Sequence, residues 1–393
     1  MRFFYLSLAM FAFLLTSIGA ASNPKLPPLN IYVAGSFSGM MPFLADGTLN
    51  AATIFAEKTN KSGGMVGRKV MIIPQDDAGD LSKAEAFART AINDPNHLLT
   101  IGHPFSSIAK PIAAYYRDNH KLLFTTYATS PSLKAIKGTY FSLTFDDDYQ
   151  GKVLANIAAT KLSAKNVRIL RCLSDTYSDS LARSFEANLR KLRVDVRLET
   201  IDYLGDKIDS EALYKSSWKN GVPDLIFLPD LQTRAADILA YFLSKNPIST
   251  TFLGGDGWGS EEKTWQKFFL AHQFKSIPKL FFTHHFSAKI PALDSSPVIK
   301  FLRKRSHGDP LDGPIILSYE GLEILKTAIS STGRADANSI SAYLRGRTFP
   351  VSAGSMTFES DGSTTRDSVL LQVGNKGIIY SGSIKGAKVP HAE

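Results

Sequence analysis

The chain has 393 residues, 44% of them hydrophobic and 21% charged, with a formal net charge of +9. This is an ordinary globular composition, long enough for two domains. The 45 Lys and Arg residues are scattered, and their densest runs, Arg190-Lys-Leu-Arg193 and Arg303-Lys-Arg305, lack the interleaved aromatics of a nucleic-acid surface; they read as solvated helix ends, and nucleic acid is not expected as a partner.

At the N-terminus, Arg2 precedes the apolar run Phe3 to Leu15, and Gly19-Ala20-Ala21 supplies small residues for cleavage. Residues 1–21 therefore read as a secretory signal peptide, with the mature chain starting near Ala21 or Ser22. The apolar run is too short for a comfortable membrane span. No cysteine follows the signal, which argues against a lipid anchor. Cys172 is the sole cysteine; a single thiol forms no internal disulfide, and it reads as a packing residue.

The body of the chain alternates β-rich runs with helical periods. Ile31–Gly35 predicts a strand and Asp46–Lys58 a helix, with Leu49, Ala52, Ile54 and Phe55 as its apolar stripe. Lys69–Ile73, Leu98–Ile101 and Leu122–Thr126 predict strands, with helices over Ser82–Asn93 and Ser107–Asn119. After Phe145-Asp-Asp-Asp148 the pattern restarts. Helices are expected over Gln150–Leu162, Ser180–Leu192 and Thr233–Ser244, and strands over Val167–Leu170, Val194–Thr200, Asp224–Leu228, Thr250–Leu253 and Leu280–His284. Helices Val298–Arg305, Leu317–Ser330 and Ser339–Arg345 follow. The last strands, Ser355–Phe358 and Ser368–Val373, are expected to be antiparallel about an Asp361-Gly362 turn. Repeated βα units imply an α/β fold with mainly parallel sheets covered on both faces, and two series of them imply two lobes.

The segment Ile101-Gly-His-Pro-Phe-Ser-Ser-Ile-Ala-Lys-Pro111 runs from a strand through a hydroxyl-bearing loop into a helix, and Leu122-Leu-Phe-Thr-Thr-Tyr-Ala-Thr-Ser-Pro131 repeats the strand and loop. In an open α/β sheet such loops lie side by side at the carboxyl ends of the strands, where ligands bind. Hydroxyls and helix-start amides there suit a small anion such as a carboxylate. Other chemistry is poorly supported. His284-His285 with His103 have no metal-ligand spacing. Asp76-Asp77 and Asp146–Asp148 read as solvated strand ends. There is no Gly-x-Ser-x-Gly elbow, no phosphate loop and no dinucleotide pattern. No enzyme activity and no cofactor is expected.

Five segments in order then resemble the type I periplasmic binding proteins of ABC transporters, in particular the leucine/isoleucine/valine-binding family. They are Gly35-Ser-Phe-Ser-Gly39, Lys61-Ser-Gly-Gly-Met-Val-Gly67, Asp76-Asp-Ala-Gly-Asp80, Ser174-Asp-Thr-Tyr-Ser-Asp-Ser180 and Gly254-Gly-Asp-Gly-Trp258. The likeness runs from about Asn30 to about Gly382. It implies two doubly wound lobes joined by three crossovers, near Leu143–Asp147, Thr283–Phe286 and Val351–Met356. The implied lobes are 22–145 plus 285–352 and 146–284 plus 353–393, closing on a ligand about the hinge.

The resemblance also implies a site. Ser106 and Ser107 match serines that hold an α-carboxylate, and Ala128 and Thr129 match residues touching carboxylate and ammonium. Tyr177 matches a tyrosine that closes over the ligand, and Asp256 matches a glutamate that pairs with the ammonium. Leu44 and Leu231 take positions often aromatic, which makes the side-chain pocket more aliphatic, and Asp230 or Gln232 beside Leu231 could reach in instead. Two family cysteines correspond to Gly79 and Phe105, so the family disulfide is absent.

On physical grounds a zwitterion entering a closed cleft needs a partner at each end. The expectation is therefore a monomeric periplasmic binding component of an ABC importer, taking an aliphatic or branched-chain amino acid and presenting it to permease subunits in the inner membrane. The rival expectations are the same fold holding an amide, urea or aromatic acid for transport or sensing, a sensory ectodomain, and an exported hydrolase.

Overall fold

The computed structural model describes residues 26–245, 249–259, 262–274, 276–305 and 311–384; the expected signal peptide lies outside the described residues. The chain begins with β1 (Leu29–Gly35), α1 (Pro42–Lys61), β2 (Val70–Asp76), α2 (Leu81–Ile92), β3 (His97–Gly102), α3 (Ser106–Asp118), β4 (Leu123–Thr125) and β5 (Tyr140–Ser142). These strands form a five-stranded parallel sheet in the order β2-β1-β3-β4-β5. Its fully buried strand residues, Ile31, Val33, Leu99, Ile101 and Phe124 among them, fit a sheet covered on both faces.

The second series is α4 (Asp147–Asn156), β6 (Asn166–Cys172), α5 (Thr176–Leu192), β7 (Arg197–Tyr203), α6 (Ser210–Trp218), β8 (Leu225–Phe227), α7 (Gln232–Ser244), β9 (Thr251–Gly254), α8 (Glu262–His272) and β10 (Leu280–His284). After it come α9 (Pro297–Arg305), α10 (Gly313–Thr332), α11 (Ala337–Leu344), β11 (Thr348–Val351), β12 (Gly354–Phe358), β13 (Thr364–Arg366), β14 (Ser368–Gly374) and β15 (Gly377–Ile384). The second sheet runs β15-β14-β10-β9-β8-β6-β7; it is parallel from β10 to β7, with β14 and β15 antiparallel on its edge. A small antiparallel sheet, β11-β12-β13, stands apart from both.

Local chemistry explains where elements start earlier or later than their apolar pattern. Helix α1 begins at Pro42, whose fixed φ and missing N–H suit a first helical turn, after Met41 in a left-handed conformation (φ 51°). Helix α5 begins at Thr176 rather than Ser180, because Asp175 accepts hydrogen bonds from the Tyr177 and Ser178 amides. Strand β7 begins at Arg197 rather than Val194: the Arg197 amide donates to Lys165 O at 2.7 Å and sets its register on β6, while Val194 is 96% exposed. The expected helix to Leu162 is α to Asn156 and then one π turn over Ile157–Lys161.

The end of the chain departs from expectation. The Asp361-Gly362 turn forms, with Gly362 at φ 86°, but the partner of β12 is β13 and not Ser368–Val373. Strand β14 instead joins β10 and β15 in the second sheet. Phe349, Met356 and Phe358 pack with Phe124, Phe141 and Leu143 in the core of the first sheet. The final passage between the halves is therefore at Arg366–Ser368, not near Val351–Met356, and residues 353–366 belong with the first sheet. The other two passages run from β5 to α4 and out of β10 toward α9.

Candidate functional site

The order β2-β1-β3 in the first sheet and β8-β6-β7 in the second each reverse direction, and ligands of open α/β sheets bind outside the carboxyl ends of strands at such reversals. The loops at those ends face one another. They enclose a cavity of about 150 Å³ lined from the first half by Met40, Phe43, Leu44, Ser106, Ser107 and Tyr127, and from the second by Asp175, Tyr177, Leu231, Asp256 and His284. A cavity of that volume takes a small organic guest. Thr233 Oγ1 lies 3.8 Å from Met40 Sδ, so the halves touch beside it.

Six of the eight expected residues line this cavity: Leu44, Ser106, Ser107, Tyr177, Leu231 and Asp256. Ala128 and Thr129 do not. Both are buried behind it, and Tyr127, the residue before them, supplies the wall. The Thr129 and Ser130 amides donate to Ser106 Oγ at 3.2 and 3.1 Å, which ties the loop after β4 to the start of α3. With both acceptor positions of that hydroxyl taken, its proton remains available to a ligand. Neither serine caps α3; the N-cap is Phe105, whose side chain makes no capping hydrogen bond. The first-turn amides beside exposed Ser107 thus form an anion-favouring end.

Asp256 is 4% exposed. One oxygen, Oδ2, lies 2.9 Å from His285 Nε2, and Oδ1 has no hydrogen-bond partner. Burial opposes its charge, but the hydrogen bond from His285, with a smaller one from Tyr177, holds the carboxyl below its usual range. Burial lowers both His285 and His284, the latter to about 4, so the imidazoles are neutral and His285 donates Nε2–H to the carboxylate. Tyr177 stands beside Asp256, its hydroxyl accepting the Gly257 amide at 2.9 Å. It fits because Gly255 has no side chain: a Cβ there would lie 2.4 Å from the Tyr177 hydroxyl. The lining contains no Lys or Arg, and its other carboxylate, Asp175, is paired with Arg234 at 2.6 Å. The lining is otherwise largely apolar, with Met40, Phe43, Leu44 and Phe105 from the first half and Leu231 from the second.

Several expectations about polar residues are corrected. Asp230 does not reach in: it is fully buried, holding Arg234 Nε at 2.8 Å and the Tyr203 hydroxyl. Gln232 is buried outside the lining. Asp77 and Asp147 are not solvated strand ends but are 1% and 0% exposed. Asp77 accepts the Gly79 amide and faces His103 Nδ1 at 3.4 Å. Asp147 takes the Ser180 hydroxyl on one oxygen, and burial pushes its carboxyl well above the usual range. Among the described residues no group of three His, Cys, Asp or Glu is placed to hold a metal. Sequence reasoning missed Met40, Phe43, Asp175, Tyr127 and the two histidines as site residues. For Asp175 the helix-capping pattern was the available signal; for the apolar residues there was none.

Comparison with known proteins finds relatives along nearly the whole chain. The family model described as periplasmic binding protein matches residues 28–377. A Leu/Ile/Val-binding protein, BraC3, of Rhizobium johnstonii is 26% identical over 347 residues, covering 87% of this chain and 90% of its own. The crystal structure of a leucine binding protein from Thermotoga maritima superimposes with a TM-score of 0.79 at 19% identity, over 91% of this chain and 99% of that one. A solute binding protein of an ABC transporter from Rhodopseudomonas palustris, solved with 3,4-dihydroxybenzoic acid, superimposes with a TM-score of 0.77 at 14% identity, over 93% of this chain and 99% of that one. Among the described residues no helix is long and apolar enough to cross a membrane.

Proposed function

Because the chain belongs to the periplasmic binding protein family, whose members are substrate-binding components of transporters rather than enzymes, we propose that it captures an aliphatic or branched-chain L-amino acid. The two sheets with their helices act as lobes, closing about the three passages between them. The closed form is presented to permease subunits in the inner membrane, after export to the periplasm and removal of the signal peptide.

The observation that carries this reading is Asp256: an ionised, buried carboxylate with one free oxygen, in a cavity without Lys or Arg. Such a charge calls for a cationic group on the ligand. The α-carboxylate then meets the Ser106 and Ser107 hydroxyls and the first-turn amides of α3, and the side chain lies toward Leu44 and Leu231. Thr129 acts through Ser106 rather than on the ligand, and Ala128 fills the space behind it. Tyr177 covers the ammonium beside Asp256. Each charge-assisted hydrogen bond contributes about 1.5–3 kcal/mol. Asp256→Ala is therefore expected to weaken L-leucine binding at least about tenfold by calorimetry, and an unchanged affinity removes Asp256 from the site.

The aromatic rings of Tyr127, Phe43 and Phe105 in the lining favour a second reading, an aromatic acid. Its carboxylate would be repelled by Asp256, so Asp256→Ala would tighten benzoate while weakening leucine.

A further inference from the structure

Beside His284 at the end of β10, the second half contributes three loops to the cavity: the start of α5 with Asp175 and Tyr177, the residue before α7, Leu231, and Asp256, Gly257 and Gly259 after β9. Each loop is short and would set its own wall position, yet their polar groups form one continuous chain. Arg234, in the first turn of α7, stands at its centre. Its Nη2 donates to Asp175 Oδ2 at 2.6 Å and its Nε to Asp230 Oδ1 at 2.8 Å. The other oxygen of Asp175 holds the Tyr177 and Ser178 amides and so fixes the first turn of α5. Asp230 Oδ1 also accepts the Leu231 amide at 2.7 Å, and its second oxygen takes the Tyr203 hydroxyl from β7. Tyr177 closes the series by accepting the Gly257 amide. One guanidinium thus joins the loop that carries Leu231 to the loop that carries Tyr177, and through it to the loop of Asp256.

The setting is built for this side chain. Its stem passes Gly205, where a Cβ would come 3.3 Å from Arg234 Cδ and 3.1 Å from Cys172 Sγ. The guanidinium itself does not line the cavity. A planar fork binding two carboxylates on different elements restrains direction as well as distance, which a lysine ammonium cannot reproduce.

We propose that Arg234 is a positioning residue of the ligand site: it locks Leu231, Tyr177 and the Asp256 loop into one rigid wall and thereby sets how well the pocket distinguishes ligand side chains. The proposal rests on the reading that this cavity takes an amino acid. A wall displaced by a fraction of an ångström loses contact with a side-chain methyl while Ser106 and Ser107, on the other half, still hold the carboxylate that leucine and alanine share.

The test is calorimetric titration of L-leucine and L-alanine into the mature chain carrying Arg234→Lys, Arg234→Met or Gly205→Ala, with Arg183→Ala on the exposed face of α5 as the control, each variant's melting temperature being recorded without ligand. The expected result is a fall in the leucine-to-alanine affinity ratio of about tenfold in Arg234→Lys and Arg234→Met, and in the same direction in Gly205→Ala, where the charge is intact and the added methyl crowds the stem together with Cys172 and Ser174. Arg183→Ala keeps the ratio of the unmodified chain. A ratio unchanged in Arg234→Lys and Gly205→Ala, whatever happens to the melting temperatures, overturns the proposal and makes Arg234 a structural residue only. If Arg234→Met does not fold, the other two variants decide. Failure of the unmodified chain to bind leucine, or to prefer it to alanine, overturns the reading of the site and this assignment with it; binding with an unchanged ratio in the variants overturns this assignment alone.

Discussion

Asp147 shows how much one side chain's surroundings decide. It sits fully buried at the start of α4, with the Ser180 hydroxyl on one oxygen and no partner on the other. Burial raises its carboxyl well above its ordinary range, so the folded chain keeps a proton that the unfolded chain releases. Stability is therefore lost as pH rises above the ordinary carboxyl range. Asp147→Asn cannot ionise and still offers Ser180 an acceptor. It is expected to raise the melting temperature at pH 7 by a few degrees and to change it little at pH 4; a lower melting temperature at pH 7 would contradict this. The sequence reading placed Asp147 on the surface because a run of three acidic residues is ordinarily solvated. Only the packing of α4 against α5 separates it from Asp148, whose side chain is 51% exposed. Asp256 was legible only through the family resemblance of Gly254-Gly-Asp-Gly-Trp258; the flanking glycines by themselves read as well as a turn.

At the scale of elements, the start of α3 is fixed by Ser106 as well as lined by it. Ser106→Ala leaves the buried Thr129 and Ser130 amides without their acceptor, at a cost of about 1–3 kcal/mol, so both melting temperature and affinity should fall. Ser107 is exposed and makes no such tie, so Ser107→Ala should lower affinity while stability stays within about 0.5 kcal/mol. Calorimetry of both variants checks this, and a Ser106→Ala chain as stable as the parent would refute the tie. The parallel strands were legible because they are near-continuous apolar runs such as Leu98–Ile101 and Leu280–His284. Helix starts were less so: the apolar stripe of α5 begins after its Asp175 cap, and that of α1 after Pro42. The helices α6 and α8 and the strands β5, β11, β13 and β15 went unread. In β15 the residues alternate between cover and solvent with no sustained period: Ile378 is buried and Ile379 is 54% exposed.

For the whole molecule, two lobes were legible from two βα series, but the last passage between them was not. A single residue, Asp367, separates β13 from β14, and nothing in Thr364–Arg366 says that it pairs with one sheet while Ser368–Gly374 joins another. What anchors the passage is tertiary: Arg366 is buried, donating to Leu143 O at 3.1 Å and facing Glu320 at 3.4 Å. The histidines at the middle passage set a global pH dependence. His284 is lowered to about 4 and His285 is also lowered, both by burial, and His97 is lowered to about 3. The unfolded imidazoles take up protons below about pH 6.5 that the folded ones refuse, so stability falls as pH drops from 6.5 toward 4, by about 1.4 kcal/mol per pH unit for each of His284 and His97 and in the same direction for His285. Asp147 acts in the opposite sense over that range but is outnumbered. Urea unfolding at pH 7 and pH 5 should show the loss at pH 5, and equal stability would contradict it. The central claim, that the cavity is built for a zwitterion, is tested most directly by titrating the mature chain, freed of co-purified ligand by unfolding and refolding, with L-leucine and with 4-methylpentanoic acid, the same molecule without its ammonium. The account predicts that leucine binds at least about a hundredfold more tightly, from two or more charge-assisted hydrogen bonds; equal affinity, or tighter binding of the acid, would contradict it.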